Sequence, residues 1–140
     1  MRMIKRSVTA MLLFLAVLAA GTLLQEALRM YRDDTLRSHP EAIAALERAA
    51  SGGNTDAAFL LATAYRDGKT GRRDVSAALH WYRSAARRGD ADAMLMLGWL
   101  YYKGDAKGTP DETEAKRWFE KAAAKGVDEA VEMLEIMQEG

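Results

Sequence analysis

Cysteine is absent from the 140 residues, which removes disulfide frameworks, thiolate zinc sites and cysteine nucleophiles together. Proline is scarce, with only two in the chain, so long helices are permitted along most of its length. An excess of either charge is missing as well. Twenty Lys and Arg stand against twenty Asp and Glu, a formal net charge of zero. That balance excludes a nucleic-acid binder whose affinity comes from a basic face. What remains is ordinary for a folded protein: 49% hydrophobic and 29% charged residues, in a length that allows one small domain.

The charges are unevenly spread. Arg2, Lys5 and Arg6 are the only charged residues among the first 24, which leaves 17 bases against 20 acids, a net of −3, over the other 116. Between Ser7 and Leu24 there is no charge, only apolar and small residues around the run 11–18. A basic start followed by an apolar stretch is the pattern of a secretory signal or a signal anchor. A buried core helix would need polar residues on one face, and this stretch has almost none. Its 18 residues exceed the ~7–15 of a signal-peptide core and fall within the ~17–25 that span a bilayer.

The cleavage sites are poor, since a cut after Ala20 puts Leu18 at −3 and a cut after Gly21 puts Ala19 there. The expectation is therefore an uncleaved, single-pass anchor in the inner membrane, with a soluble periplasmic or secreted protein after cleavage as the alternative. The excess of Lys and Arg before the stretch places the N-terminus inside and the rest facing the periplasm. With no Cys to carry lipid, a lipoprotein is excluded. Residues 1–24 are read as anchor or signal, 25–37 as a juxtamembrane helical segment and 38–140 as a repeat domain.

The repeat shows in direct alignment, which precedes any search for single motifs. Ala57, Leu61, Ala62, Tyr65 and Gly68 recur as Ala93, Leu97, Gly98, Tyr101 and Gly104, at an offset of 36. Ala78, Trp81, Tyr82, Ala85, Ala86 and Gly89 recur as Ala115, Trp118, Phe119, Ala122, Ala123 and Gly126, at an offset of 37. One extra residue sits in the loop between Gly104 and Asp111. Upstream, Ala42, Leu46, Ala49, Ala50 and Gly53 repeat the second half-unit without its aromatic pair.

Each half-unit has the 3.6-residue period of an amphipathic helix, as in Ala78, Trp81, Tyr82, Ala85 and Ala86. Ser38, Asp74 and Asp111 are placed to cap the second helices, with Glu41 and Glu114 completing capping boxes. Asn54 and Asp90 are placed to cap the first helices, and Gly53, Gly89 and Gly126 to stop the second ones. Arg87, Arg88, Lys121 and Lys125 fall in last turns, where the helix dipole favours cations. The unit is a helical hairpin. Ala62 and Gly98 leave room for close approach, and Trp81 and Trp118 are expected to fill the space between hairpins. A hairpin that cannot bury both faces must stack, so the fold class is all-α, an α/α superhelical solenoid. The segment from Asp128 to Gly140 keeps Ala130 and Leu134 but places Glu135 and Gln138 at the small and Tyr positions, as a terminal cap requires.

These residues resemble the Sel-one-like repeat family, tetratricopeptide-like solenoids of about 36 residues per repeat. The second repeat, Ala93 to Gly126, follows the family pattern nearly throughout, with Phe119 for a Tyr. The first, Ala57 to Gly89, has Ala62 in place of a Gly. With flanking half-repeats the resemblance runs from about Ser38 to Leu134. It implies a scaffold for protein interaction, in bacteria often exported. Cys-rich relatives linked to penicillin binding are clamped by disulfides, and a chain without Cys inherits nothing of that activity.

Candidate chemistry is thin. His39 and His80 lack second ligands at helical spacing, so no metal is expected. No nucleophile elbow or phosphate-binding glycine loop is present, and the acid pairs Asp111–Glu112 and Glu132–Glu135 read as solvated helix faces. No cofactor and no catalysis are expected. The loop from Arg66 to Arg73 is locally basic and could meet anionic lipid, although an exposed charged loop explains it as well. The candidate partner-binding residues are Met96, Trp99, Tyr102 and Lys103 on the second repeat's first helix, since first helices line the concave face in tetratricopeptide-like solenoids. Packing within the solenoid is the competing explanation for Trp99. The expected function is an envelope adaptor that binds a protein or peptide. The alternatives are an enzyme on periplasmic or cell-wall substrates, for which no catalytic cluster is visible, and a structural subunit of an envelope assembly.

Overall fold

The computed structural model describes residues 2–140 and, among the first twenty, the side chains of Val8, Met11, Leu12 and Ala19. Among the described residues the chain forms seven α-helices and no strand: α1 (Arg2–Arg32), α2 (Pro40–Ser51), α3 (Thr55–Asp67), α4 (Val75–Arg87), α5 (Ala91–Tyr102), α6 (Glu112–Ala124) and α7 (Asp128–Glu139). Short turns join them, so consecutive helices pack as hairpins. The first helices of the units are α3 and α5, and the second helices are α4 and α6.

Side chains from the connecting loops set where helices begin. Asn54, Asp74, Asp90 and Asp111 each accept a hydrogen bond from the backbone N–H three residues on, at 3.0, 2.9, 2.7 and 3.0 Å. Gly53, Gly89 and Gly126 take positive φ of 99°, 93° and 86° and turn the chain into the next helix. Two expectations fail. Ser38 does not cap α2; it ends a 3-10 turn, Leu36–Ser38, and His39 stands at the N-cap with no side-chain cap bond. The cause is Pro40, which takes the first helical position because it has no N–H to satisfy. The capping boxes do not close either. The Asp111 N–H donates to the Tyr101 carbonyl at 2.9 Å, and Glu114 turns to Arg117 instead.

The core runs the length of the solenoid and consists mainly of Ala and Leu with Met94, Met133 and three rings, of which Tyr82 and Phe119 are fully buried and Tyr101 nearly so. Trp81 and Trp118, expected to fill that space, are only half-buried at its margin. Adjacent positions on a helix sit about 100° apart, so one of two neighbouring aromatics must point away from the centre. The inward one is the second. The Phe119 ring is met by a small residue, and the Tyr82 ring by Phe59 and Thr63. A Cβ on Gly98 would stand 2.5 Å from Cε1 of Phe119, closer than atoms can pack.

The tyrosines of the first helices tie units together. Tyr65 on α3 donates to Glu47 on α2 at 2.9 Å, and Arg83 on α4 donates to Tyr101 on α5. At the far end α7 carries exposed Glu132, Glu135 and Gln138, together with exposed Val131 and Ile136. Its outer face is mixed rather than wholly polar.

At the near end the solenoid begins earlier than residue 38. Ala27 is fully buried, Leu24 packs against the core, and Tyr31 on α1 donates to Asp67 at the end of α3. The C-terminal third of α1 is thus an additional first helix, parallel to α3, and the expected boundary at 24/25 falls inside it. The uncharged stretch 7–24 expected to span a membrane falls mostly on residues whose side chains lie outside those described. Among the described residues no helix is long and apolar enough to cross a membrane. Val8, Met11 and Leu12 on this helix are exposed.

This packing has two consequences for stability. Phe119→Ala should cost about 3–5 kcal/mol through the cavity it leaves, and Trp81→Ala, already half-exposed, should cost less. Gly98→Ala should cost about 1–3 kcal/mol by overpacking against the ring. Denaturant titration of the full chain measures all three, and a Gly98→Ala variant of wild-type stability would show that the ring yields.

Candidate functional site

The first-helix face carries a groove of about 620 Å³ between α3, α5 and α7. Its floor is Leu95, Met96, Trp99 and Leu100 from α5. Arg66, Asp67 and Arg73 close one side, Lys103 and Asp105 one end, and Glu129 of α7 the other side.

Three of the four sequence candidates meet there. Met96 lies on the floor, and its sulfur receives the Arg66 guanidinium at 3.6 Å. Lys103 is exposed and sets its ammonium 5.1 Å from the centre of the Trp99 ring. Trp99 both packs within the solenoid and lines the groove. Its ring packs edge-to-face with Phe119, ring centres 5.7 Å apart, and its indole N–H donates to Glu129 at 2.8 Å. The packing is against its own unit's second helix rather than the preceding unit. Tyr102 stands outside the groove, half-buried beside Trp99 and Phe119 at centre distances of 5.8 and 6.5 Å.

Sequence reasoning missed Arg66, Asp67, Arg73, Asp105 and Glu129 as groove residues. Arg66 and Asp67 were detectable as the counterparts of Tyr102 and Lys103 one unit earlier. Glu129 was not, since its place depends on how α7 stacks.

Electrostatically the groove is balanced, three cations against three carboxylates. Arg73 pairs with Asp105 at 3.0 Å and Lys69 with Asp34 at 3.1 Å. The loop from Arg66 to Arg73 is therefore less positive than its sequence, with Arg66, Lys69 and Arg73 each paired to an Asp.

Asp67 is the hub. It accepts from Arg66 at 2.8 and 3.2 Å and from the Tyr31 hydroxyl. Burial alone would raise its carboxyl, but the bonds from Arg66 and Tyr31 outweigh that and hold it below its ordinary value. Burial pushes the Tyr31 phenol up to about 12, reinforced by the bond to Asp67. Tyr65 is likewise pushed up to about 12 by burial and then by its bond to Glu47. Among the described residues no group of three or more His, Asp or Glu could hold a metal ion.

The phenol shifts have a measurable sign. A phenol raised on folding stabilises the fold fully below its unfolded value near 10, and that contribution is lost as pH climbs towards 12. Phenolate absorbance should show Tyr31 and Tyr65 ionising near pH 12 while the unfolded chain ionises near 10, with stability falling across that interval. Tyr31→Phe should remove one late proton. A single transition near pH 10 for all tyrosines would contradict both ties.

Comparison with known proteins gives consistent results. The Sel1 repeat family model matches residues 55–90 and 91–127, a little over half the chain. Among solved structures, the crystal structure of a Sel1 repeat protein from Oxalobacter formigenes is similar, with a TM-score of 0.67 and 34% identity. The alignment covers 82% of this chain and 86% of that one. Among curated proteins none matches significantly.

Proposed function

The chain belongs to the Sel1 repeat family, and from that premise we propose that it is a membrane-tethered adaptor, facing the periplasm, that holds a protein partner's segment in the groove over Met96 and Trp99. Sel1 repeats typically bind protein partners, and the family is generally non-catalytic. The observation that carries the proposal is the groove itself: an apolar floor that includes an indole, walled by charges of both signs from helices and the loops that join them. Such a surface suits an extended segment with an apolar anchor residue between charged ones.

The tether is supported by the uncharged stretch 7–24, the Lys and Arg before it and the exposed Val8, Met11 and Leu12. A cleaved, soluble form is the second reading. A cut after Ala20 or Gly21 would leave Leu24, Ala27 and Tyr31 in place, so the solenoid would stay whole in either case.

For binding, Met96→Ala and Lys103→Ser should each weaken partner capture severalfold with unchanged helix content, while Lys121→Ser on α6 should be neutral. The partner is found by crosslinking from position 103 in cells and mass spectrometry. Capture at wild-type level by both variants would move the binding surface elsewhere. For topology, a reporter enzyme active only in the periplasm, fused after Gly140, should be active and stay with membranes. Release into the soluble fraction would overturn the tether, and activity of a cytoplasm-only reporter would overturn the compartment.

A further inference from the structure

A second groove exists only because α1 joins the solenoid. It holds about 400 Å³ and is walled by Leu24, Leu28 and Tyr31 of α1 against Phe59, Leu60 and Thr63 of α3. Leu28 is 45% exposed at its lip. Gln25 and three carboxylates, Asp56, Asp90 and Asp92, rim it at the start of α3 and α5.

Its charge differs from that of the groove over Trp99. No cation lines it. Asp90 is occupied by capping α5, but Asp56 and Asp92 are exposed and make no ion pair or side-chain hydrogen bond among the described residues. Acidic residues in a first turn are expected from the helix dipole, so their position alone means little. The sum is more telling. Two helix N-termini contribute roughly +0.5 charge each, about +1 against the three carboxylates, so the rim keeps about two uncompensated negative charges over an apolar floor.

We infer that this groove is a second binding site, fitted to a polypeptide segment in which Lys or Arg alternates with large aliphatic residues. The apolar walls of Leu24, Leu28, Phe59 and Leu60 take the aliphatic side chains, and Asp56 and Asp92 take the cations. Acidic or neutral segments leave both carboxylates unpaired on closing, which is the basis of discrimination. The site shares no lining residue with the groove over Met96 and stands whether or not that groove binds a partner.

The test uses the full chain in nanodiscs of zwitterionic lipid, with empty discs as background. The probes are fluorescein-labelled acetyl-Leu-Lys-Leu-Lys-Leu amide and its counterpart with Glu for Lys, followed by anisotropy. The lysine peptide should bind about tenfold more tightly or better, with an affinity that falls as salt rises. Asp56→Asn combined with Asp92→Asn should lower its affinity about fivefold, and so should Leu28→Ser, each roughly 1 kcal/mol by the tenfold-per-1.4 rule. Asp128→Asn, an equally exposed first-turn acid on α7 away from the groove, should change nothing, and circular dichroism checks that all variants fold. Equal binding of the two peptides, no binding of the lysine peptide, wild-type affinity in the double variant, or an equal loss in Asp128→Asn would each overturn the site.

Discussion

Everything in this solenoid depends on one steric fit, a large buried ring on each second helix packed closely onto the first. Tyr82 occupies that place in the first unit and Phe119 in the second, where Gly98 gives way completely. The fit brings the two helices of a hairpin close enough for the Ala-rich positions around them to exclude water. It also fixes their rotation. Once Phe119 points inward, Trp118 must lie at the margin and the outer positions of α5 must face the groove.

The two units solve the surroundings of that ring differently, and function follows from the difference. In the first unit the ring carries a hydroxyl, which pairs with Thr63 at 2.9 Å while Phe59 packs edge-on at 5.5 Å. In the second unit the ring has no hydroxyl, and the position of Thr63 is filled by Trp99, which packs on Phe119 and reaches Glu129. A polar pair in one unit thus becomes an aromatic pair in the next. The exchange puts an indole on the first-helix face only where the chain also supplies Met96 and Lys103.

The repeat, its hairpin form, its length and four of its caps were legible in the sequence because each rests on local spacing. Choosing Tyr82 and Phe119 over Trp81 and Trp118 was not, since both neighbours lie on the apolar face and only the opposing helix decides between them. The contribution of α1 was masked for another reason. Leu24 closes the apolar stretch and Ala27 and Tyr31 follow it among polar residues, where no counterpart at the repeat's 36-residue spacing marks them as solenoid residues. Met96, Trp99, Tyr102 and Lys103 could be picked out as a stripe on one first helix, and three of them line the groove while Tyr102 stands beside it against Trp99 and Phe119. An aromatic absent from one unit can still be packing in the other.

The tyrosine ties between units carry an evolutionary consequence. Tyr65 meets a carboxylate on the preceding helix and Tyr101 meets a guanidinium at the same relative place. A phenol hydroxyl both donates and accepts, so it joins either sign equally well. The seam between neighbours therefore places no demand on the charge of the residue it grips. Units could be duplicated, reordered or recharged on their outer helices without reworking the joint, which leaves the binding face free to diverge while the array keeps its register.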